Sequence, residues 1–176
     1  MFNWLKPRLV SKEVDLTYNV IVNQARKPMF YQDIGVADTL DGRFDLLGLH
    51  ICVLFYRLKS EGEQANIFSQ DLFDVMFTDM DRSLRELGVG DLSVGRRVKE
   101  MGRALLGRLE AYDRALDSDF KELENVLTRN VYRGNPNMCR QVGKLASYVK
   151  NILARLEKTP TDVILRGKFS FENGDD

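Results

Sequence analysis

Gly42-Arg43-Phe44-Asp45-Leu46-Leu47-Gly48-Leu49-His50-Ile51-Cys52-Val53-Leu54-Phe55-Tyr56 is the stretch that decides the fold. Its apolar residues surround a helical axis instead of marking one side, so a helix from Gly42 to about Lys59 must be covered by neighbours over most of its surface. Asp45 and His50 interrupt the run, which also falls well short of the roughly 20 apolar residues needed to cross a bilayer. The segment predicts a buried central helix, with the Asp41 carboxylate as its candidate cap.

Both flanks repeat the helical period. Ser11 can open a helix carrying Val14, Tyr18, Ile21, Val22 and Ala25, and Pro28 ends it before a loop from Lys27 to Leu40. Ser60-Glu61-Gly62-Glu63 has capping-box spacing and predicts a helix to about Leu87, with Leu72, Met76, Met80, Leu84 and Leu87 as its inward stripe, widened by Phe73 and Phe77. The turn Gly88-Val89-Gly90 ends that helix, and another follows Ser93 with Val94, Val98, Met101, Leu105, Leu109 and Tyr112 in line. Gly95, Gly102 and Gly107 each cost it about 1 kcal/mol relative to alanine, which predicts close approach by another backbone. Shorter patterns give a helix from about Asp119 to Val131, a start at Asn135-Pro136, a long last helix through Val142, Val149 and Leu156, and one more turn from Thr161 to Arg166. No window alternates as a half-buried strand does. The expectation is an all-α protein: one compact helical domain of about six or seven helices over residues 11–171, an arm at 1–10 and a frayed tail at 172–176.

A chain of 176 residues suits one domain with a core of its own. Lysine and arginine number 26, as do aspartate and glutamate, so no net field steers the molecule to nucleic acid, and DNA is not an expected partner. Cys52 and Cys139 have no cysteine or histidine nearby in sequence, which argues against a disulfide scaffold or zinc site; no metal or cofactor is expected. The start, Met1-Phe2-Asn3-Trp4-Leu5-Lys6-Pro7-Arg8, lacks an apolar signal-peptide core, so an uncleaved cytoplasmic protein is expected. Phe2, Trp4 and Leu5 beside Lys6 and Arg8 either touch a membrane interface or dock onto the body. His50, the only histidine, sits between Leu49 and Ile51 and reads as a hydrogen-bonded core residue rather than a catalyst.

Charged residues offer two constellations. Asp74 and Asp81 lie two helical turns apart with Asp71 and Thr78 beside them, a face able to offer oxygen ligands to magnesium. That raises the alternative of an all-helical enzyme binding magnesium diphosphate, although adjacent paired aspartates and a second acidic helix are missing. Pairing of these carboxylates with Arg43, Arg82, Arg85, Arg96 and Arg97 is the favoured reading. From Arg82 to Arg108 bases outnumber acids, and Arg96 and Arg97 in particular are placed to meet phosphates of RNA or of lipid headgroups, or simply to be solvated. Phe30 and Tyr31 directly follow Pro28, where aromatics either fold back onto the domain or stand ready as anchors for a partner.

Four stretches carry a family resemblance: Ala25-Arg26-Lys27-Pro28-Met29-Phe30-Tyr31, then Gly35-Val36-Ala37-Asp38-Thr39-Leu40-Asp41-Gly42-Arg43-Phe44-Asp45, then Leu72 to Asp81, and Leu84 to Asp91. Together they resemble the ubiquinol-cytochrome c chaperone family, from about Tyr18 to Tyr112 and more weakly through Asp162 to Lys168. The resemblance implies a non-enzymatic, all-helical chaperone that holds newly made cytochrome b before assembly of respiratory complex III is complete. Mitochondrial members work with a small partner near the ribosomal exit tunnel; without a long presequence this chain looks similar to the bacterial branch. On that basis Phe30 and Tyr31 are the expected apolar anchors, Asp38, Asp41, Arg43, Asp74, Asp81 and Arg85 orient the polar flanks of the client, and Arg96 and Arg97 approach the ribosome or the inner face of the cytoplasmic membrane. A plain protein-protein scaffold is the remaining alternative.

Overall fold

A computed structural model describes residues 11–172, and all regular structure in them is helical. The helices are α1 (Lys12–Ala25), α2 (Pro28–Gln32), α3 (Leu40–Leu58), α4 (Glu63–Glu86), α5 (Asp91–Leu116), α6 (Phe120–Asn130), α7 (Cys139–Lys158) and α8 (Thr161–Leu165), with a 3-10 turn at Pro136–Met138. The expected central helix is α3. Its residues from Phe44 to Leu54 are buried without a break, against α1, α4, α5 and α7. The arm residues Phe2, Trp4, Leu5, Lys6 and Arg8, like tail residues 173–176, lie outside the described residues.

Local chemistry explains where elements begin, and four starts differ from expectation, the simplest being α5, which is entered at Gly90 and begins at Asp91, ahead of Ser93. Ser11 caps α1 by accepting from the Val14 amide, as its position predicts. Pro28 does not merely end α1: with its fixed φ and missing N–H it occupies the first position of a short new helix, α2, inside what reads as a loop. Thr39, not Asp41, caps α3, its hydroxyl accepting from the Gly42 amide at 3.1 Å, while Asp41 is exposed. The capping box fails because Gly62, at φ +91°, is the residue that enters α4; a side chain is strained there and glycine is not. The glycines of α5 also differ from expectation. A methyl at Gly95 or Gly107 would meet nothing within 4 Å, and Gly102 faces the Phe77 ring, so no second backbone approaches.

His50 is fully buried. Its Nδ1 donates to the Leu46 carbonyl at 2.8 Å and Nε2 accepts from the Tyr148 hydroxyl at 2.6 Å, which in turn accepts from Gln24 at 3.0 Å. Burial pulls its pKa down to about 4, so the ring is neutral at ordinary pH. Phe30, Tyr148 and Phe171 stand edge-on to it at 5.5, 5.6 and 5.2 Å between ring centroids. The segment around Phe171 is therefore folded against the core, and Glu172, read as the start of a frayed tail, is ion-paired with Lys27. Arg57 fastens the end of α7, donating to Leu156 O at 2.9 Å and Thr159 O at 3.1 Å.

Candidate functional site

The inward stripe of α4 is covered only part of the way. Leu72, Met76 and Leu84 are buried, but Met80 is half-buried and Leu87 is 66% exposed. Beside them α1, α2, α3 and α4 leave a cleft of about 290 Å³. Tyr18 and Val22 come from α1, Tyr31 from α2, Leu40, Arg43 and Leu47 from α3, and Asp79, Met80 and Glu86 from α4, with Leu87 just past its end. Leucine, valine and methionine surfaces thus meet acids and bases on the same walls, the composition expected where an apolar partner with polar ends is held.

Polar groups in the cleft are oriented by one another. The Tyr18 hydroxyl donates to Asp79 at 2.8 Å, and Asp79 is also ion-paired with Arg82. Tyr31 donates to the Ala25 carbonyl at 2.8 Å, and the Arg43 guanidinium lies 5.9 Å from the centre of its ring. Burial raises the pKa of both tyrosines, reinforced at Tyr18 by the bond to Asp79, so both remain donors at neutral pH. Arg43 Nε bonds Asp38 at 2.7 Å, which holds the Asp38 carboxyl below its ordinary range. Further along α4, Arg85 joins Asp81 at 2.6 Å and also pairs with Asp91 at the head of α5.

Of the residues expected at a site, Tyr31 and Arg43 line the cleft, Asp38 is attached through Arg43, and Asp81 with Arg85 flanks it on α4. Phe30 is a correction. It is fully buried, edge-on to His50 and Tyr148, and unavailable as an anchor because the turn of α2 directs it inward. Asp74 lies outside the cleft lining and accepts from Gln70 at 3.0 Å. Arginine pairing holds for Asp81, whose partner Arg85 also reaches Asp91 on α5, but it does not involve the other expected arginines of α3 and α5: Arg43 takes Asp38, and no ion pair among the described residues includes Arg96 or Arg97. Among the described residues no group of three or more His, Cys, Asp or Glu side chains is placed to hold a metal ion.

Sequence reasoning missed Tyr18 and Val22 as cleft residues, since helical spacing marks them only as core. It also missed a buried charge cluster behind the cleft. Asp45 is 1% exposed and lies 2.6 Å from both Arg108 and Arg133; burial still raises its pKa against the pull of the two guanidiniums. Arg108 also lies 5.6 Å from the ring centre of Phe44, whose other neighbours include the cleft, so the cluster braces that wall.

Comparison with known proteins gives this architecture a context. A family model described as ubiquinol-cytochrome C chaperone matches residues 32–171. "Ubiquinol-cytochrome c reductase complex assembly factor 1" of Drosophila melanogaster is 24% identical over 152 residues, covering 84% of this chain and 59% of that protein. "Protein CBP3, mitochondrial" of Saccharomyces cerevisiae is 25% identical over 166 residues, covering 92% of this chain and 50% of that protein. The chain thus spans between half and three-fifths of the length of these two relatives. The crystal structure of the Cbp3 homolog from Brucella abortus superposes with a TM-score of 0.78 at 36% identity, covering 91% of this chain and 88% of that one. No helix among the described residues is long and apolar enough to cross a membrane. With the model match running from α2 through the segment that closes over His50, the chain belongs to the ubiquinol-cytochrome c chaperone family.

Proposed function

We propose that this protein is an assembly chaperone for ubiquinol-cytochrome c reductase, and that the cleft between α1, α2, α3 and α4 holds a segment of newly made cytochrome b. It acts by binding, without making or breaking covalent bonds. The observation that carries this reading is the incomplete cover of the α4 stripe. Met80 and Leu87 continue an apolar line whose earlier members are core, and they end it in a cleft with a charged rim. Such a site favours an unfinished hydrophobic segment whose ends are polar. The magnesium-diphosphate alternative rests on Asp74 and Asp81, and it is disfavoured because Asp81 is ion-paired with Arg85 while Asp74 accepts from Gln70.

The double variant Met80→Asp with Arg43→Glu places a carboxylate on the apolar wall and reverses the charge above it. Recovery of cytochrome b with the tagged protein from growing cells should fall about tenfold, the worth of one lost apolar anchor, with little change in thermal midpoint. Undiminished recovery with a folded variant removes the cleft from the site.

A further inference from the structure

The outer side of α5 carries a separate surface. Successive steps of three and four residues put Leu92, Arg96, Lys99, Arg103 and Leu106 along one exposed line. Leu92 is 99% exposed and Leu106 45% exposed, at the two ends of the cationic stretch. The opposite face, including Val94, Val98 and Leu105, packs against α3, α4 and α6, which fixes the line outward. Arg97 lies about 100° around the helix from Arg96 and belongs to a different side.

Three features of the line point to one kind of partner. One exposed carboxylate, Glu100, neighbours Arg96 and Arg103 on the adjoining row, so the cations of the line outnumber acids three to one over this stretch, and no ion pair among the described residues engages Arg96, Lys99 or Arg103. These charges are concentrated on one line of a chain whose formal net charge is zero, so the field here is local. Finally, Leu92 stands almost wholly in water at one end of this basic row, covered by none of the described residues, and Leu87 across the turn is 66% exposed at the edge of the cleft. Phosphates reward the cations; only a partner with hydrocarbon just beneath its phosphates also rewards the leucines. RNA lacks that layer, and the line has no aromatic side chain for base stacking.

We propose that the α5 line seats the protein on an anionic lipid bilayer, with Arg96, Lys99 and Arg103 among the headgroup phosphates and Leu92 entering the interface beside them. This stands independently of the client reading. Where both hold, Leu87 belongs to the cleft wall and to the membrane-facing turn, so the cleft opens next to the surface from which a membrane segment arrives.

Flotation with phosphatidylcholine vesicles, with and without phosphatidylglycerol, tests it on the full chain. The protein should float only with phosphatidylglycerol and be released by salt. Arg96→Glu/Lys99→Glu/Arg103→Glu should weaken partitioning roughly a hundred-fold or more, each basic residue near the surface being worth about a factor of five. Leu92→Ser should weaken it about tenfold with unchanged salt dependence, and Lys121→Glu on α6 should leave it unaltered. Far-UV circular dichroism checks folding, and the corresponding triple glutamine variant replaces the glutamate one if that fails to fold. Equal flotation with neutral vesicles, or a folded triple variant that floats like the parent, overturns the proposal. So does a Leu92→Ser protein that floats normally while polyuridylate displaces the parent, since the line is then a surface for RNA.

Discussion

At the scale of single residues, His50 and Phe30 show what neighbours in sequence reveal and what they hide. The apolar context of His50 foretells a buried, bonded ring. Because its pKa is about 4 in the fold and 6.5 in a free chain, the unfolded state binds the extra proton between those values, and stability falls as pH drops from about 6.5 toward 4. The loss should reach roughly 2–3 kcal/mol by pH 4.5. Urea midpoints at pH 7 and pH 4.5 should show it in the parent and a much flatter dependence in His50→Gln; equal slopes would mean the ring is accessible to protons in the native state. Phe30 looks identical to Tyr31 in sequence, since both follow Pro28, yet one is core and the other lines the cleft. One residue step of about 100° around α2 separates their directions, and five residues carry too little periodicity to announce it. Asp45 was hidden for a different reason: Arg133 lies 88 residues away along the chain and approaches only through the tertiary fold.

At the scale of elements, the long helices follow from their periodicity, and errors gather at starts and at glycines. Thr39 displaced Asp41 as the α3 cap because both are competent and only the path of the loop chooses between them. Glycine in a helix has two meanings that the sequence does not separate. A methyl on Gly42 would lie inside the van der Waals radius of the Ala37 carbonyl, so the loop carrying Asp38 onto α3 comes too close for any side chain. Gly95 and Gly107 face open space and contribute only helix propensity. Gly42→Ala should therefore cost about 1–3 kcal/mol, whereas Gly95→Ala should gain about 1 kcal/mol. Thermal or urea unfolding of the two variants should show opposite signs. A tolerated Gly42→Ala would indicate that the α2–α3 loop yields easily, and with it the placement of Arg43 and Tyr31.

At the scale of the whole molecule, an even charge balance and a central helix buried from Phe44 to Leu54 say little about function; two places where apolar cover is missing say more. One is the end of the α4 stripe, the other the outer line of α5, and they meet at the turn between Leu87 and Leu92. The sequence shows the stripe and the cations but not their exposure, because whether an apolar line is core or wall depends on how far the neighbouring helices reach. Tyr31 and Arg43, singled out from a stretch of unusual composition, do line the cleft; Tyr18 and Met80 needed the packing to distinguish them from core. The most direct test of a cleft that grips a client is site-specific photocrosslinking in growing cells, with a benzophenone side chain at Ser83 in the cleft and, separately, at Lys121 on α6. Ser83 should give a covalent adduct with newly made cytochrome b and Lys121 none; an adduct at Lys121 with none at Ser83 would contradict the cleft as the place where the client is held.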